Sequence, residues 1–153
     1  MADQDTKDLL KAVNKLIEFF RYQFKPQNAI DFDEYDSLSI SNTTSGDQVV
    51  VTFTVPKGCK GVLKWVGQDA DQVNVFAGNS IWNVKINGMA VPTWSQLTTQ
   101  KATTMDPSPE TIALNENDVI DLTCNLTNSA NINLPVNVLG RIRGWYWVER
   151  NDK

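Results

Sequence analysis

Histidine is absent from this sequence of 153 residues. It is the side chain that most often acts as a general base near neutral pH, and it is the commonest transition-metal ligand. Its absence excludes Ser-His-Asp and Cys-His catalysis, and every zinc site that uses an imidazole. We therefore expect no catalytic residues, no metal site and no cofactor, and we interpret the chain as a non-enzymatic protein.

Cysteine is scarce, and its placement excludes a redox motif. Cys59 and Cys124 are the only two cysteines, and neither belongs to a CxxC pair. Each lies in or beside a strand-like stretch, where a small thiol behaves as a core residue. The sequence therefore predicts two buried thiols rather than a redox centre.

Long apolar runs and clusters of positive charge are also missing. No run approaches the ~18–20 apolar residues that cross a bilayer. The first five residues are acidic and polar, whereas a signal peptide begins basic and continues apolar. The net charge of -4 offers no excess of Lys and Arg for a nucleic-acid backbone. We therefore expect synthesis in a cytoplasm, with neither a membrane nor a nucleic acid as partner.

The composition and the hydrophobic pattern of the sequence predict one folded domain preceded by a helix. Hydrophobic residues make up 41% and charged residues 21% of the chain, as in ordinary globular proteins. The pattern predicts a helix over residues 5–24, capped by Asp5 or Thr6 and ended by Pro26.

Apolar residues in this helix recur at alternating spacings of three and four, as at the a and d positions of a heptad repeat. They are Leu10, Val13, Ile17, Phe20 and Phe24. Such a stripe either packs on its own domain or contacts another helix or partner, and the heptad spacing favours the second interpretation. We predict that residues 1–26 form an oligomerisation or anchoring segment.

Residues 27–37 are rich in carboxylates, with Asp31, Asp33, Glu34 and Asp36 close together. Such oxygens could collect a calcium ion, but the run lacks the glycine and the distal glutamate of an EF-hand loop. Runs of like charge are usually solvated. The sequence therefore predicts an acidic linker here.

From residue 38 to residue 150 the hydrophobic period changes from helical to alternating. Strands are predicted over residues 48–55, 61–66, 80–86, 118–126 and 136–149. Asn87-Gly88 predicts a tight hairpin, and Gly140 and Gly144 are candidate bulge points. Because no second helix is available for a crossover, an antiparallel sandwich or barrel is expected.

One long polar stretch, residues 91–111, interrupts these strands and contains three prolines. Loops of that length often have a function. Two aspartate pairs, Asp69 with Asp71 and Asp118 with Asp121, could be imagined as a glycosidase pair that needs no histidine. Turn chemistry explains Asp118 equally well, so a hydrolase is the weakest of our interpretations.

The chain contains five tryptophans, which is many for its length, and they are candidates for an aromatic binding surface. On the last strand, Trp145 and Trp147 share one face and Tyr146 takes the other. An aromatic side chain on an outer face needs a sugar ring, a neighbouring subunit or another sheet against it. Core packing is the default for each tryptophan. The candidate binding surface consists of Trp82, Trp94, Tyr146, Arg141 and Arg143.

Several stretches resemble known virion proteins. Residues 114–122 (LNENDVIDL), followed by Asn125, and residues 82–88 (WNVKING) resemble turn-and-strand patterns of virion jelly rolls. Residues 138–147 (VLGRIRGWYW) are similar to the last strand of small tailed-bacteriophage capsid decoration (cement) or head-fibre proteins. The resemblance extends over residues 45–149.

This resemblance implies an antiparallel jelly-roll-like β-sandwich behind the N-terminal amphipathic helix. It also implies a homotrimer that is made in the host cytoplasm, sits on the capsid surface of the virion and braces the major capsid protein. The alternative is a receptor- or glycan-binding module at the tip of a phage fibre or tail, with a surface glycan as partner.

Overall fold

The computed structural model describes residues 3–41, 46–71, 80–92, 112–126 and 134–149. Within them the chain forms one helix and eight strands. These are α1 (Gln4–Gln23), β1 (Ile30–Ile40), β2 (Gln48–Thr54), β3 (Cys59–Ala70), β4 (Ser80–Ile86), β5 (Met89–Ala90), β6 (Ile112–Leu114), β7 (Val119–Leu126) and β8 (Val136–Val148).

The strands form two four-stranded sheets. Sheet A has the order β1-β8-β3-β6, and sheet B has the order β2-β7-β4-β5. Every neighbouring pair is antiparallel. This is the strand order of a jelly roll, in which two Greek keys pack face to face. The predicted jelly-roll-like sandwich behind an N-terminal helix is confirmed.

The core lies between the inner faces of the two sheets. Leu63 and Ile142 of sheet A and Ile120 and Leu122 of sheet B are completely buried there. Trp82, on β4, is also 0% exposed and is the largest fully buried side chain. Period-two alternation along each strand places these residues on one side, so the sandwich satisfies its own hydrophobic surface.

Both cysteines are buried and unpaired, as predicted. Burial raises the pKa of the Cys124 thiol to about 12, and the negative charge of Asp47 acts in the same direction. A thiol that stays protonated is a poor nucleophile. Cys124 is therefore a packing residue.

The prediction of an acidic linker over residues 27–37 is wrong, because most of that segment belongs to β1. This strand pairs with β8 along its whole length, from Ile30 opposite Tyr146 to Ile40 opposite Val136. Phe32 points into the core and stacks on Phe53 with ring centroids 4.0 Å apart. The acidic side chains concealed this alternation because β1 is an edge strand that leaves them in solvent.

Gly140 and Gly144 are not bulge points, contrary to prediction. The register shifts instead at residues 63–65 of β3 and 49–51 of β2. A Cβ atom at Gly144 would overlap the carbonyl oxygen of Val62, and one at Gly140 would lie 3.0–3.1 Å from side chains of sheet B. Both glycines therefore serve close packing, and at Gly144 no larger residue fits without a shift of the backbone.

The Asn87-Gly88 hairpin is confirmed. Both residues have positive φ, 52° and 82°, as a two-residue turn between β4 and β5 requires. Asp118 fixes this turn by accepting a hydrogen bond of 2.8 Å from the Asn87 side chain, and it accepts another from the backbone N–H of Asn115. The carboxylate thus holds together two turns at one end of the sandwich.

The two ends of the sandwich differ. The helix joins the sandwich at the end where β1 and β3 begin, beside the 87–88 hairpin and the turn before β7. The strand ends that border residues 42–45, 72–79 and 127–133 meet at the other end, where Ile40 lies opposite Val136 and Ser80 opposite Leu126. The predicted excursion over residues 91–111 lies almost entirely outside the described residues.

Candidate functional site

The first candidate site is the apolar stripe of α1. Its predicted residues all remain exposed, from 43% for Val13 to 67% for Phe24, and the neighbouring side chains of Leu9, Leu16 and Phe19 are exposed as well. We call these eight residues the seam. The interpretation in which the stripe packs on its own domain does not hold, because such packing would bury them.

Local interactions fix both ends of the helix. The cap is Asp3, not the predicted Asp5 or Thr6: its carboxylate accepts hydrogen bonds of 2.8 Å from the backbone N–H and the hydroxyl of Thr6. These hydrogen bonds hold the pKa of Asp3 below its usual range. At the other end, Lys25 forms an ion pair of 2.7 Å with Asp31 of β1. No helical segment of the described chain has the apolar length of a bilayer span.

The second candidate site is the outer face of sheet A, which points away from the core. Alternation along β8 places Arg141, Arg143 and Trp145 on this face. In the register of the sheet, Arg143 lies between Asp33 of β1 and Trp65 of β3. The sequence therefore brings two arginines, a carboxylate and two indole rings together on three adjacent strands.

An ion-pair cluster organises this face. Arg141 donates to both carboxylate oxygens of Asp33, from Nε at 2.6 Å and from Nη2. The Nε of Arg143 lies 3.6 Å from the same carboxylate. The hydrogen bonds from Arg141, and the positive charges of both arginines, lower the pKa of Asp33. The same hydrogen bonds and the negative charge of Asp33 raise the pKa of Arg141. Both guanidinium groups also lie over the ring of Trp65, at 5.8 and 5.5 Å from its centroid.

A groove of about 440 Å³ opens between this face and the base of the helix. Such a volume falls within the range of small-ligand sites, about 300–1,000 Å³. Its lining includes Lys25, Asp31, Lys64, Trp65, Arg143 and Trp145. We call it the aromatic groove.

The ring of Trp145 has an unusual environment within this groove. The ammonium of Lys64 lies 5.8 Å from its centroid. The indole Nε1–H is buried and has no hydrogen-bond partner among the described residues. Because buried donors are nearly always paired, an unpaired indole N–H beside a groove is notable.

The predicted binding-surface residues fall into three groups. Arg141 and Arg143 lie together on the outer face. Trp82 fills the core and Tyr146 faces inward beside Phe53, with ring centroids 6.0 Å apart, so neither belongs to that face. Trp94 lies outside the described residues. Core packing overrode the surface prediction for Trp82 because its strand alternates inward at that position.

Two residues complete the cluster: Trp65, which sequence reasoning did not single out, and Asp33, which it considered only as a possible calcium ligand. A register shift between residues 63 and 65 changes the alternation of β3. Strict period-two alternation therefore assigns Trp65 to the wrong face of the sheet. Asp33 lies in the segment predicted as a linker. The sequence did offer one signal for this cluster. The acidic residues of the 27–37 segment could pair with the arginines of the longest predicted strand.

The carboxylates considered for catalysis or metal binding have other partners. Asp121 accepts a hydrogen bond of 2.6 Å from the Thr52 hydroxyl, and Asp71 accepts from the backbone and side chain of Asn137. Across the described ranges, no three Cys, Asp or Glu side chains are close enough to hold a metal ion. These aspartates join neighbouring strands and turns.

The fold and the two surfaces define a jelly-roll module with a free amphipathic helix. A scan against protein-family models and a search of the curated proteins found no match to this chain. Its function must therefore be inferred from the seam and the outer face of sheet A.

Proposed function

We propose that this chain is a non-catalytic structural protein of a bacteriophage virion, which associates with copies of itself through α1 and decorates the assembled capsid. The observation that carries the proposal is the exposed seam: eight large apolar side chains on one helix, each 43% or more exposed. A helix in this condition needs a partner. The heptad spacing of Leu10, Val13, Ile17, Phe20 and Phe24 supports packing against another helix, and we propose further copies of the same helix as the partner.

The length of α1 suits such a bundle. Its 20 residues span about 30 Å, or nearly three heptads. Fully burying one large apolar side chain stabilises the buried state by about 1.5–3 kcal/mol, so several per helix can offset the cost of association. A helix of this length alone in water is marginal. Association would therefore stabilise both the helix and the oligomer.

The position of α1 supports a multivalent arrangement. Because the helix joins one end of the sandwich, a parallel bundle would hold the sandwiches side by side, with their opposite ends directed away from it. Several weak contacts to a lattice would then act together. A protein that binds only the assembled lattice stabilises that lattice by mass action.

The virion assignment and the trimeric state are supported by the resemblance of residues 45–149 to phage decoration and head-fibre proteins. The jelly roll agrees with it, since this fold is common among capsid domains. On this proposal the partner is the major capsid protein and the site of action is the capsid surface.

Two measurements test the proposal. Light scattering on the full-length chain should give the mass of a trimer, and the protein should sediment with capsids of the phage that encodes it. A version that starts at residue 27 should be monomeric and should sediment far less. A full-length monomer that does not sediment with capsids would contradict the proposal.

A second candidate function, glycan binding at the tip of a fibre or tail, is favoured by the aromatic groove. Indole rings beside paired charges suit a sugar ring, which presents apolar and polar surfaces together. A glycan array tests it: specific binding that is lost in Trp65→Ala supports this function, and uniform absence of binding rejects it.

A further inference from the structure

We infer that the aromatic groove binds a saccharide that carries a carboxylate, with Trp145 against the sugar ring, Trp65 beside it, and Arg143 paired with the acid group. This inference rests on the second candidate function and names its class of ligand. It does not depend on the seam or on the oligomeric state.

The indole rings provide the platform. Trp65 on β3 and Trp145 on β8 lie on adjacent strands of sheet A, and both line the groove. The face of an indole ring carries partial negative charge, and it attracts the positively polarised C–H groups of a pyranose.

The cluster has more positive than negative charges, and this excess favours a negatively charged ligand. Two guanidinium groups, of Arg141 and Arg143, share the single carboxylate of Asp33. The guanidinium group of Arg141 already donates hydrogen bonds to both oxygens of that carboxylate. The Nε of Arg143, at 3.6 Å, is beyond ordinary hydrogen-bond distance from Asp33. The Arg143 fork can therefore receive a second carboxylate in the planar, bidentate geometry that arginine favours.

Two further groups suit the polar parts of a sugar. Asp31, held by Lys25, is an exposed carboxylate that can accept hydrogen bonds from ring hydroxyls. The Nε1–H of Trp145 is a donor without a partner among the described residues, and the ammonium of Lys64 lies 5.8 Å from the centroid of the same ring.

A protein partner would also use tryptophan and arginine, which are enriched in interfaces. The observations favour the saccharide because the site is a concave groove of about 440 Å³ whose arginine, Arg143, is positioned in advance by Asp33 and Trp65. A positioned set of polar groups around an aromatic lining is typical of small-ligand sites.

The experiment compares matched acidic and neutral ligands on the full-length protein. Trigalacturonic acid and its methyl ester have the same shape and differ in charge, and isothermal titration with each measures the contribution of the carboxylate. We expect the acid to bind with a millimolar or lower dissociation constant, about tenfold or more tighter than the ester. Sialyllactose against lactose repeats the comparison with a different acidic sugar.

Variants assign the residues. Arg143→Gln should remove most of the preference for the acid, and Trp65→Ala should weaken the binding of both ligands by about tenfold. Lys85→Gln is the matched control, because Lys85 is paired with Asp47 on sheet B, and it should bind as the parent does. Thermal melting checks that each variant is folded.

The outcomes separate this inference from the function it rests on. Equal binding of acid and ester, or an acid preference that survives in Arg143→Gln, overturns the acidic ligand but leaves glycan binding intact. Absence of binding to all four sugars at concentrations on the order of 10 mM overturns both. Loss of capsid binding in Trp65→Ala, without any saccharide binding, would identify the groove as a protein interface instead.

Discussion

The helix and the sandwich contain the same kinds of apolar residue in opposite environments. Leu10 and Phe24 of α1 are 61% and 67% exposed, whereas Leu122 and Trp82 of the sandwich are 0% exposed. The sandwich is complete in itself because each strand turns its apolar residues toward the other sheet. The helix is incomplete because its apolar residues face no other part of the described chain. The sandwich thus provides stability, and on our proposal the helix provides association.

The largest effect that tests this contrast between helix and sandwich is expected at Ile17, in the middle of the seam. Ile17→Asp places a charge where we expect a buried helix contact, and it should reduce the oligomer to the 17.1 kDa monomer in light scattering. Lys15→Asp, on the opposite face of α1, is the matched control and should leave the mass unchanged. If Ile17→Asp stays oligomeric with an unchanged mass, the seam is not the interface.

A substitution in the core of the sandwich should change the stability of the protein and leave its association unchanged. Trp82→Ala removes a wholly buried ring from the core, and it should lower the free energy of unfolding by about 3–5 kcal/mol. Urea denaturation measures this loss. Because the core and the seam are separate, the folded variant should keep the parent's mass, and a change of oligomeric state would show that the two regions are coupled.

A smaller effect is expected where the outer face of sheet A meets the core. Gly144→Ala would force a Cβ against the Val62 carbonyl and the Phe32 ring, and it should cost about 1–3 kcal/mol of stability. Gly88→Ala is the contrasting control: its site is open but has a positive φ of 82°. The control should lose about 1 kcal/mol through backbone strain alone. Equal losses would argue that space at Gly144 is not limiting.

The smallest effect concerns the ion pair of the outer face. Arg141 lowers the pKa of Asp33, so the folded state favours the charged carboxylate. This contribution is present above the unfolded pKa of about 3.9 and is lost as pH falls through the lower folded value. Both side chains are partly exposed, at 41% and 38%, so Arg141→Gln should cost less than about 1 kcal/mol at pH 7.

The measurement for that variant is urea denaturation of both proteins over a range of pH. The difference between parent and Arg141→Gln should shrink as the pH falls below about 4. It should also shrink at high salt, because partly exposed charges are screened. A difference that is constant with pH would assign the loss to packing of the Arg141 side chain on Trp65 instead.

Much of the fold could be predicted from the sequence, and the exceptions have physical causes. The strands with clear alternation, β2, β4, β7 and β8, were predicted almost to their ends, as was the Asn87-Gly88 hairpin. The two-residue β5 and the three-residue β6 are too short to display a period. The edge strand β1 was missed because an exposed edge tolerates carboxylates that mimic a solvated linker.

The candidate site was less predictable than the fold. Alternation alone places Arg141 and Arg143 on one face, so half of the cluster could be predicted. Asp33 is 108 residues from Arg141 in the chain, and only the pairing of β1 with β8 brings them together. The register shift in β3 hid Trp65. Long-range pairing and bulges are tertiary properties that a local period does not encode.

The central position of β8 in sheet A has a consequence for biosynthesis. It lies between β1 and β3 but is the last of the described strands to be made, so β1 has no neighbouring strand until residues 136–146 have left the ribosome. At about 5–20 residues per second, the wait for about 100 further residues is on the order of 5–20 s. The whole seam of α1 has emerged by then. Neighbouring nascent chains on one messenger can therefore meet through their helices before sheet A is complete in them.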